Sequence, residues 1–274
     1  MAKIELGRIG AAVSPDESGA YLDLAAQLEE LGYTMLSTGG PIESLDPFRE
    51  LMRVTDHVRV AGSIISVDRF DADQVAALYR DLESTDPGRF VVGLGGAHGR
   101  EPMATLNAYL DRLDAAPVPA SARIMAALGP RMLDLARERA SGALPVLVTP
   151  DYTAQARGRL GDDRTLAVEQ LVVVESDPKR ARALARGPLG FLGEVPAYQA
   201  HFRRMGFAQN EIDQRGDRLV DTLVAWGDPA SIATRVTEQL QAGADHVLIS
   251  LVADPADGQS VEPWRRLAEH LFSR

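Results

Sequence analysis

Short runs of β-branched and other apolar residues alternate along the chain with stretches whose apolar residues recur at three- and four-residue spacing. The runs predict eight strands, at Ile4–Val13, Thr34–Ser37, Val58–Ile65, Phe90–Leu94, Arg123–Ala127, Leu144–Val148, Leu166–Val174 and Asp245–Val252. Between them lie helical faces such as Tyr21, Leu24, Ala25, Leu28 and Leu31, then Val75, Leu78, Tyr79 and Leu82, then Met132, Leu135, Ala136 and Ala140. That spacing puts the apolar residues on one side of a helix.

The punctuation agrees with this order. Gly32, Gly142 and Gly243 each stand directly before a predicted strand. A glycine there can take the left-handed conformation that closes a helix. Asp46-Pro47, Asp177-Pro178 and Asp228-Pro229 read as helix starts, with Asp as cap and Pro in the first turn.

Strands alternating with helices imply a parallel sheet. Eight such units in 274 residues match the count of a closed (β/α)8 TIM barrel. An open doubly wound sheet has the same spacing. The unit between the seventh and eighth strands is long, about 175–244, and predicts a helical insertion after strand 7. No Ser- or Gly-rich linker divides the chain, so residues 1–274 are expected to form a single domain.

Composition narrows the function. With a net charge of −10 and no strongly basic stretch, the chain is a poor partner for nucleic acid or an anionic membrane. The absence of cysteine removes disulfides, thiolate metal sites and a thiol nucleophile. The start MAKIELGRIGAAV does not read as a signal peptide, and no apolar run is long enough to span a bilayer. A cytoplasmic protein acting on a small-molecule substrate is the expectation.

In a parallel barrel, ligands gather where the strands end. That rim is poor in titratable groups. The five histidines show no metal-ligand spacing, and His98 alone follows a strand among glycines, Gly93, Gly95 and Gly96. His98 is therefore the candidate catalytic residue. Gly95 and Gly96 read either as a glycine-rich turn or as a place where a planar ligand meets the main chain. The stretch Leu128-Gly129-Pro130-Arg131 turns from a strand into a helix. Free amides and the helix dipole at such a corner favour phosphate, and Arg131 adds charge; the other reading is a plain Gly-Pro turn.

Several stretches taken together resemble the bacterial luciferase-like superfamily: YLDLAAQLEELGY, TDHVRVAGSII, GRFVVGLGGAHG, AALGPRMLDLARERASGALPVLVTPDYTAQAR and GDPASIATRVTEQLQAGADHVLISLV. They run in order over nearly the whole chain and look most similar to its deazaflavin (coenzyme F420)-dependent oxidoreductases. The resemblance implies a (β/α)8 barrel with an insertion after strand seven and a cofactor ring across the mouth. It implies a bulge with a non-prolyl cis peptide at Ser63-Ile64 backing the ring, and Thr38 near the ring edge. Leu128, Gly129, Pro130 and Arg131 would hold the cofactor phosphate, with Thr149 on the same side, and His98 matches a histidine of similar sequences. Members of the group are often dimers, which makes a homodimer an expected assembly. The chain departs from the pattern after strand two, where STGGP stands in place of an acidic residue or histidine pair, and after strand three, where it reads SVDRFDAD.

Three functions follow from the resemblance. The first is hydride transfer between F420 and a small organic substrate. The second is an FMN-dependent monooxygenase, since flavin and deazaflavin share ring shape and ribityl phosphate. The third is a non-catalytic barrel that binds a cofactor as carrier or sensor.

Overall fold

The computed structural model describes residues 3–39, 42–254 and 258–272. Gly40 and Pro41 of the STGGP stretch lie outside them. In chain order the elements are β1 (Ile9–Val13), α1 (Ala20–Glu30), β2 (Met35–Gly39), α2 (Asp46–Val54), β3 (Arg59–Ser63), β4 (Ile65–Ser66), α3 (Ala72–Thr85), β5 (Phe90–Gly95), α4 (Pro102–Ala115), β6 (Arg123–Met125), α5 (Pro130–Arg139), β7 (Gly142–Ala143), α6 (Pro150–Leu160) and β8 (Thr165–Val173). Four insertion helices follow, α7 (Pro178–Gly193), α8 (Pro196–Arg204), α9 (Gln209–Asp213) and α10 (Asp217–Leu223). β9 (Val224–Trp226), α11 (Pro229–Gln241), β10 (His246–Leu251) and α12 (Glu262–Leu271) complete the chain.

The sheet closes on itself. Strands pair in the order β10-β1-β2-β3-β5-β6-β7-β8, and β10 pairs again with β8, every pairing being parallel. The fold is therefore the expected (β/α)8 TIM barrel rather than an open sheet, with a helical insertion after its seventh strand, β8.

Two predicted strands are corrected. The segment Ile4–Arg8 is not strand: it crosses the bottom of the barrel, turns at Gly7 (φ 72°) and buries Leu6 among the interior apolar residues. The sixth strand is Gly142–Ala143, with only an isolated bridge further on from Val146 to Glu169. The helix before it stops at Arg139 in an extended Ala140 (φ −142°, ψ 170°), so Gly142 caps nothing. It is a strand residue on which a Cβ would overlap the Thr165 carbonyl of the neighbouring strand. Gly32 (φ 97°) and Gly243 (φ 109°) do follow α1 and α11 in the left-handed region. Asp177 and Asp228 cap α7 and α11, accepting from the Arg180 and Ser231 amides, whereas Asp46 lies within α2 after an uncapped Leu45.

Side-chain alternation sorts the barrel interior into layers. Met35, Ala61, Val91, Ile124, Ala167 and Leu248, one from each of six strands, with Leu144 just past β7, form a closed apolar layer with Leu6 beneath. Outward residues such as Leu36, Val60, Val92 and Val247 join the main core against the helices. Two residues further along each strand, toward its C-terminal end, the inward positions are Ser37, Ser63, Gly93, Ala126, Val146, Glu169 and Ser250, with Ala12 from β1. Most of these are small, and Ala12, Ser63, Ala126, Val146, Glu169 and Ser250 are only half-buried. The mouth thus has a floor of small side chains over a sealed apolar layer. Among the described residues no helix is long and apolar enough to cross a membrane.

Candidate functional site

On the β3–β5 side of the mouth, β3 breaks after Ser63, the Ser63-Ile64 peptide bond is cis, and the chain re-enters the sheet as β4 beside β5. Ser63 and Ile64 are half-buried, and Ser63 Oγ donates to the Thr38 carbonyl at 3.1 Å. Thr38 follows Ser37 on β2, so alternation turns its side chain toward the helices. It is 1% exposed, and its Oγ1 has no hydrogen-bond partner among the described residues.

The glycines at the end of β5 are accounted for by protein contacts. A Cβ on Gly93 would overlap the Gly62 carbonyl, and one on Gly95 would lie 2.9 Å from the Ile64 side chain. Gly96 (φ 99°) and Ala97 (φ 62°) then carry the chain out to His98. His98 Nδ1 sits 2.8 Å from Asp68 Oδ2, and its backbone amide donates to the same oxygen at 3.1 Å. Partial burial opposes charge on Asp68, but these contacts from His98 outweigh it and hold the carboxyl below its usual range. The His98 side chain is 63% exposed, so the pair is a rim feature open to a ligand or solvent.

Further round the rim, past the ends of β6 and β7, lies a groove of about 500 Å³, lined by Leu128, Pro130, Thr149, Tyr152, Arg204 and Arg218 among others. Gly129 (φ −107°, ψ 158°) caps α5 without a side chain, and Pro130 occupies the first turn. The Gly129 carbonyl accepts from the Met132 and Leu133 amides. Among the described residues, this leaves the Arg131 amide as the open donor of the first turn. Thr149 caps α6, its Oγ1 accepting from the Tyr152 amide at 3.2 Å. Arg131 is exposed and does not line the groove. Its expected place is taken by Arg204 from insertion helix α8, whose Nη2 donates to the Leu128 carbonyl at 3.1 Å. A Cβ built on Gly129 would stand 3.8 Å from that nitrogen. Among the described residues Arg204 forms no salt bridge, whereas Arg159 and Arg218 are paired with Asp134 and Glu211. Leu128, Gly129, Pro130 and Thr149 are therefore brought together at one corner, and His98 belongs to a different part of the rim.

The insertion also reaches the mouth through His201, which is fully buried. Its Nε2 lies 3.2 Å from the Leu147 carbonyl and its ring packs edge-on against Tyr152 at 4.8 Å. Burial, helped by the Arg204 charge, pushes its pKa down to about 4.

Besides Arg204, one further residue of this site carries no motif that singles it out. Glu169 stands in the middle of β8 and points into the barrel, half-buried, with its carboxyl accepting a hydrogen bond from Ser250 Oγ at 2.6 Å. Burial pushes it up to about pKa 7, against the lowering effect of that hydrogen bond. The signal was present: a lone acidic residue in the apolar run LAVEQLVVV is costly unless it has a role.

No protein-family model and no curated protein sequence matches the chain. Solved structures do match its fold over nearly its full length. An F420-dependent secondary alcohol dehydrogenase in complex with an F420-acetone adduct aligns with TM-score 0.73 at 12% identity, covering 98% of both chains. The coenzyme F420-dependent tetrahydromethanopterin reductase of Methanopyrus kandleri aligns with TM-score 0.68 at 14% identity over 99% of both. The oxygenating constituent of 3,6-diketocamphane monooxygenase from Pseudomonas putida, a type II Baeyer-Villiger monooxygenase in complex with FMN, aligns with TM-score 0.64 at 14% identity, covering 99% of this chain and 97% of that one. These likenesses show that the chain shares the closed barrel fold of those proteins.

Proposed function

We propose that the protein is an oxidoreductase that uses coenzyme F420 to transfer a hydride to or from a small organic substrate. The observation that carries this reading is the corner at Gly129, where the first turn of α5 and the Arg204 guanidinium, which has no carboxylate partner among the described residues, converge on one groove. Helix N-terminal amides and a cation without a carboxylate partner suit a phosphate. The residues present fit the cofactor: the corner suits its phosphate, and the floor of small side chains leaves room for a planar ring. The two F420-dependent proteins among the structural neighbours support the deazaflavin over FMN.

When bound, the deazaflavin supplies or accepts the hydride. The chain's own residues do the rest. Arg204 and the Arg131 amide would hold the phosphate, and Ser63 and Ile64 would back the ring. The apolar layer closes the barrel beneath the floor, so access is from the mouth alone. His98, oriented by Asp68, stands at the rim where it can meet substrate.

Fluorescence titration with F420 and with FMN, side by side, tests the proposal. Gly129→Asp has room and an ordinary backbone conformation, and it places a carboxylate beside Arg204. It should weaken F420 binding about 100-fold, the order expected when a charge-assisted contact is lost and a like charge is added. Tighter binding of FMN than of F420 would move the assignment to the monooxygenase class. Binding of neither would leave the corner as a turn and favour the non-catalytic reading.

A further inference from the structure

The floor of the mouth contains one ionisable side chain, Glu169, among seven small or apolar inward residues. Its position is built. β8 and β10 are in register with Glu169 opposite Leu248, and Ser250 stands two residues nearer the mouth. The 2.6 Å hydrogen bond from Ser250 therefore draws the carboxyl upward, away from the apolar layer and toward the opening. From α8, Tyr198 lies close enough for the Glu169 charge to raise its phenol, a shift that burial dominates. The facing groups are thus Ser250 from β10 and Tyr198 from α8, and among the described residues no Lys, Arg or His forms an ion pair with Glu169. A carboxyl without a cation, in a half-buried site, is more easily kept protonated near neutral pH than one on the surface. Burial alone accounts for its rise to about 7, where both protonation states are populated under ordinary conditions.

Resting on the cofactor reading above, we infer that Glu169 is the catalytic acid and base of the mouth, exchanging a proton with the oxygen of a small uncharged ketone or its secondary alcohol. In the reducing direction the carbonyl carbon receives the hydride supplied by the reduced deazaflavin. The C=O π pair moves onto oxygen, and that oxygen takes the proton of neutral Glu169. An alcohol, a Glu169 carboxylate and the oxidised cofactor result, and solvent reprotonates the carboxyl before the next turnover. In the oxidising direction the Glu169 carboxylate takes the hydroxyl proton as the hydride leaves carbon. The missing cation also sets the substrate's charge, since a carboxylate-bearing substrate would repel ionised Glu169 with nothing nearby to offset it.

The test pairs a spectroscopic and a kinetic readout on wild type, Glu169→Gln and His98→Gln. Glutamine keeps an acceptor for Ser250 and cannot titrate. In cofactor-free protein, infrared difference spectra should show a protonated-carboxyl band that titrates near neutral pH and is absent from Glu169→Gln. With F420 bound, and butan-2-one and butan-2-ol as probes against pyruvate, Glu169→Gln should bind F420 within twofold of wild type. It should lose 100- to 1000-fold in kcat, together with the inflection near pH 7, the range for removing a positioned acid or base. Turnover of butan-2-one by Glu169→Gln at the wild-type rate with the same inflection would overturn the inference. So would a carboxyl band that has vanished by pH 5.5, transfer of the inflection to His98→Gln, a wild type that turns over pyruvate in preference, or one that binds F420 and turns over none of the probes. Failure of wild type to bind F420 would overturn the cofactor reading and this inference with it, whereas F420 binding with no dependence on Glu169 would overturn the inference alone.

Discussion

The two ends of the barrel hold the same kind of problem and solve it differently. At the bottom, His246 is fully buried, its Nδ1 2.9 Å from the Gly7 carbonyl and its Nε2 without a partner among the described residues. On the mouth side of the apolar layer, Glu169 is half-buried with its carboxyl tied to Ser250. Burial dominates both shifts, taking His246 down to about 4 and Glu169 up to about 7. Both are thereby biased toward the neutral form. The difference is access. Leu6 and the apolar layer wall off the histidine, whereas Glu169 lies on the mouth side of that layer and is only half-buried. A buried titratable group is structural where nothing can reach it and is available for chemistry where something can.

The largest effect is expected where the comparison is broken by closing the barrel badly. Gly142→Ala pushes a methyl into the Thr165 carbonyl of the adjacent strand and should cost about 3 kcal/mol or more in urea unfolding. Were Gly142 a helix cap, the cost would stay near 1 kcal/mol.

Next come the two titrations, which have opposite signs. Unfolded histidine takes up a proton below about pH 6.5, while folded His246 stays neutral to about 4, so stability falls as pH drops through that window. Buried His201, also near 4, acts over the same window, so each histidine should contribute about 3 kcal/mol and His246→Gln should remove about half of the fall. Glu169 acts the other way. Folded Glu169 keeps its proton to about 7 while the unfolded carboxyl ionises from about 4.5, so stability falls as pH rises between them. Allowing for its partial exposure to solvent, the effect is about 1–2 kcal/mol, and Glu169→Gln should be the more stable protein at pH 8 and unchanged at pH 4. A pH series of unfolding midpoints reads both limbs.

The smallest effect on stability is expected at Gly129. A side chain there meets only the Arg204 guanidinium at 3.8 Å, so Gly129→Asp should shift stability by less than about 0.5 kcal/mol while abolishing most cofactor affinity. A large loss of stability would show that the corner is built for packing rather than for an anion.

The elements of this fold were legible because their signals are local. Apolar spacing marked the faces of α1, α3 and α5, and capping chemistry at Asp177 and Asp228 marked helix starts. The count of strands also indicated closure, although pairing of β10 with both β1 and β8 is what establishes it. Gly142 was misread because a helix cap and a close interstrand approach leave the same letter in the chain. Arg131 was expected at the groove because it adjoins Gly129, yet Arg204, 75 residues beyond Gly129 in the sequence, stands there instead.

Sequence by itself determined the alternation of strands and helices, the insertion after the seventh strand and the corner at Gly129. Each follows from spacing and backbone preference within a few neighbouring residues. Only the tertiary structure decided which side chains share the mouth. The partners that matter, Glu169 with Ser250, His98 with Asp68, and Arg204 with Gly129, lie on different elements, and their separation in space depends on how the whole sheet closes. Burial is likewise a property of the closed barrel, so the raised pKa of Glu169 could not be read from the residues beside it.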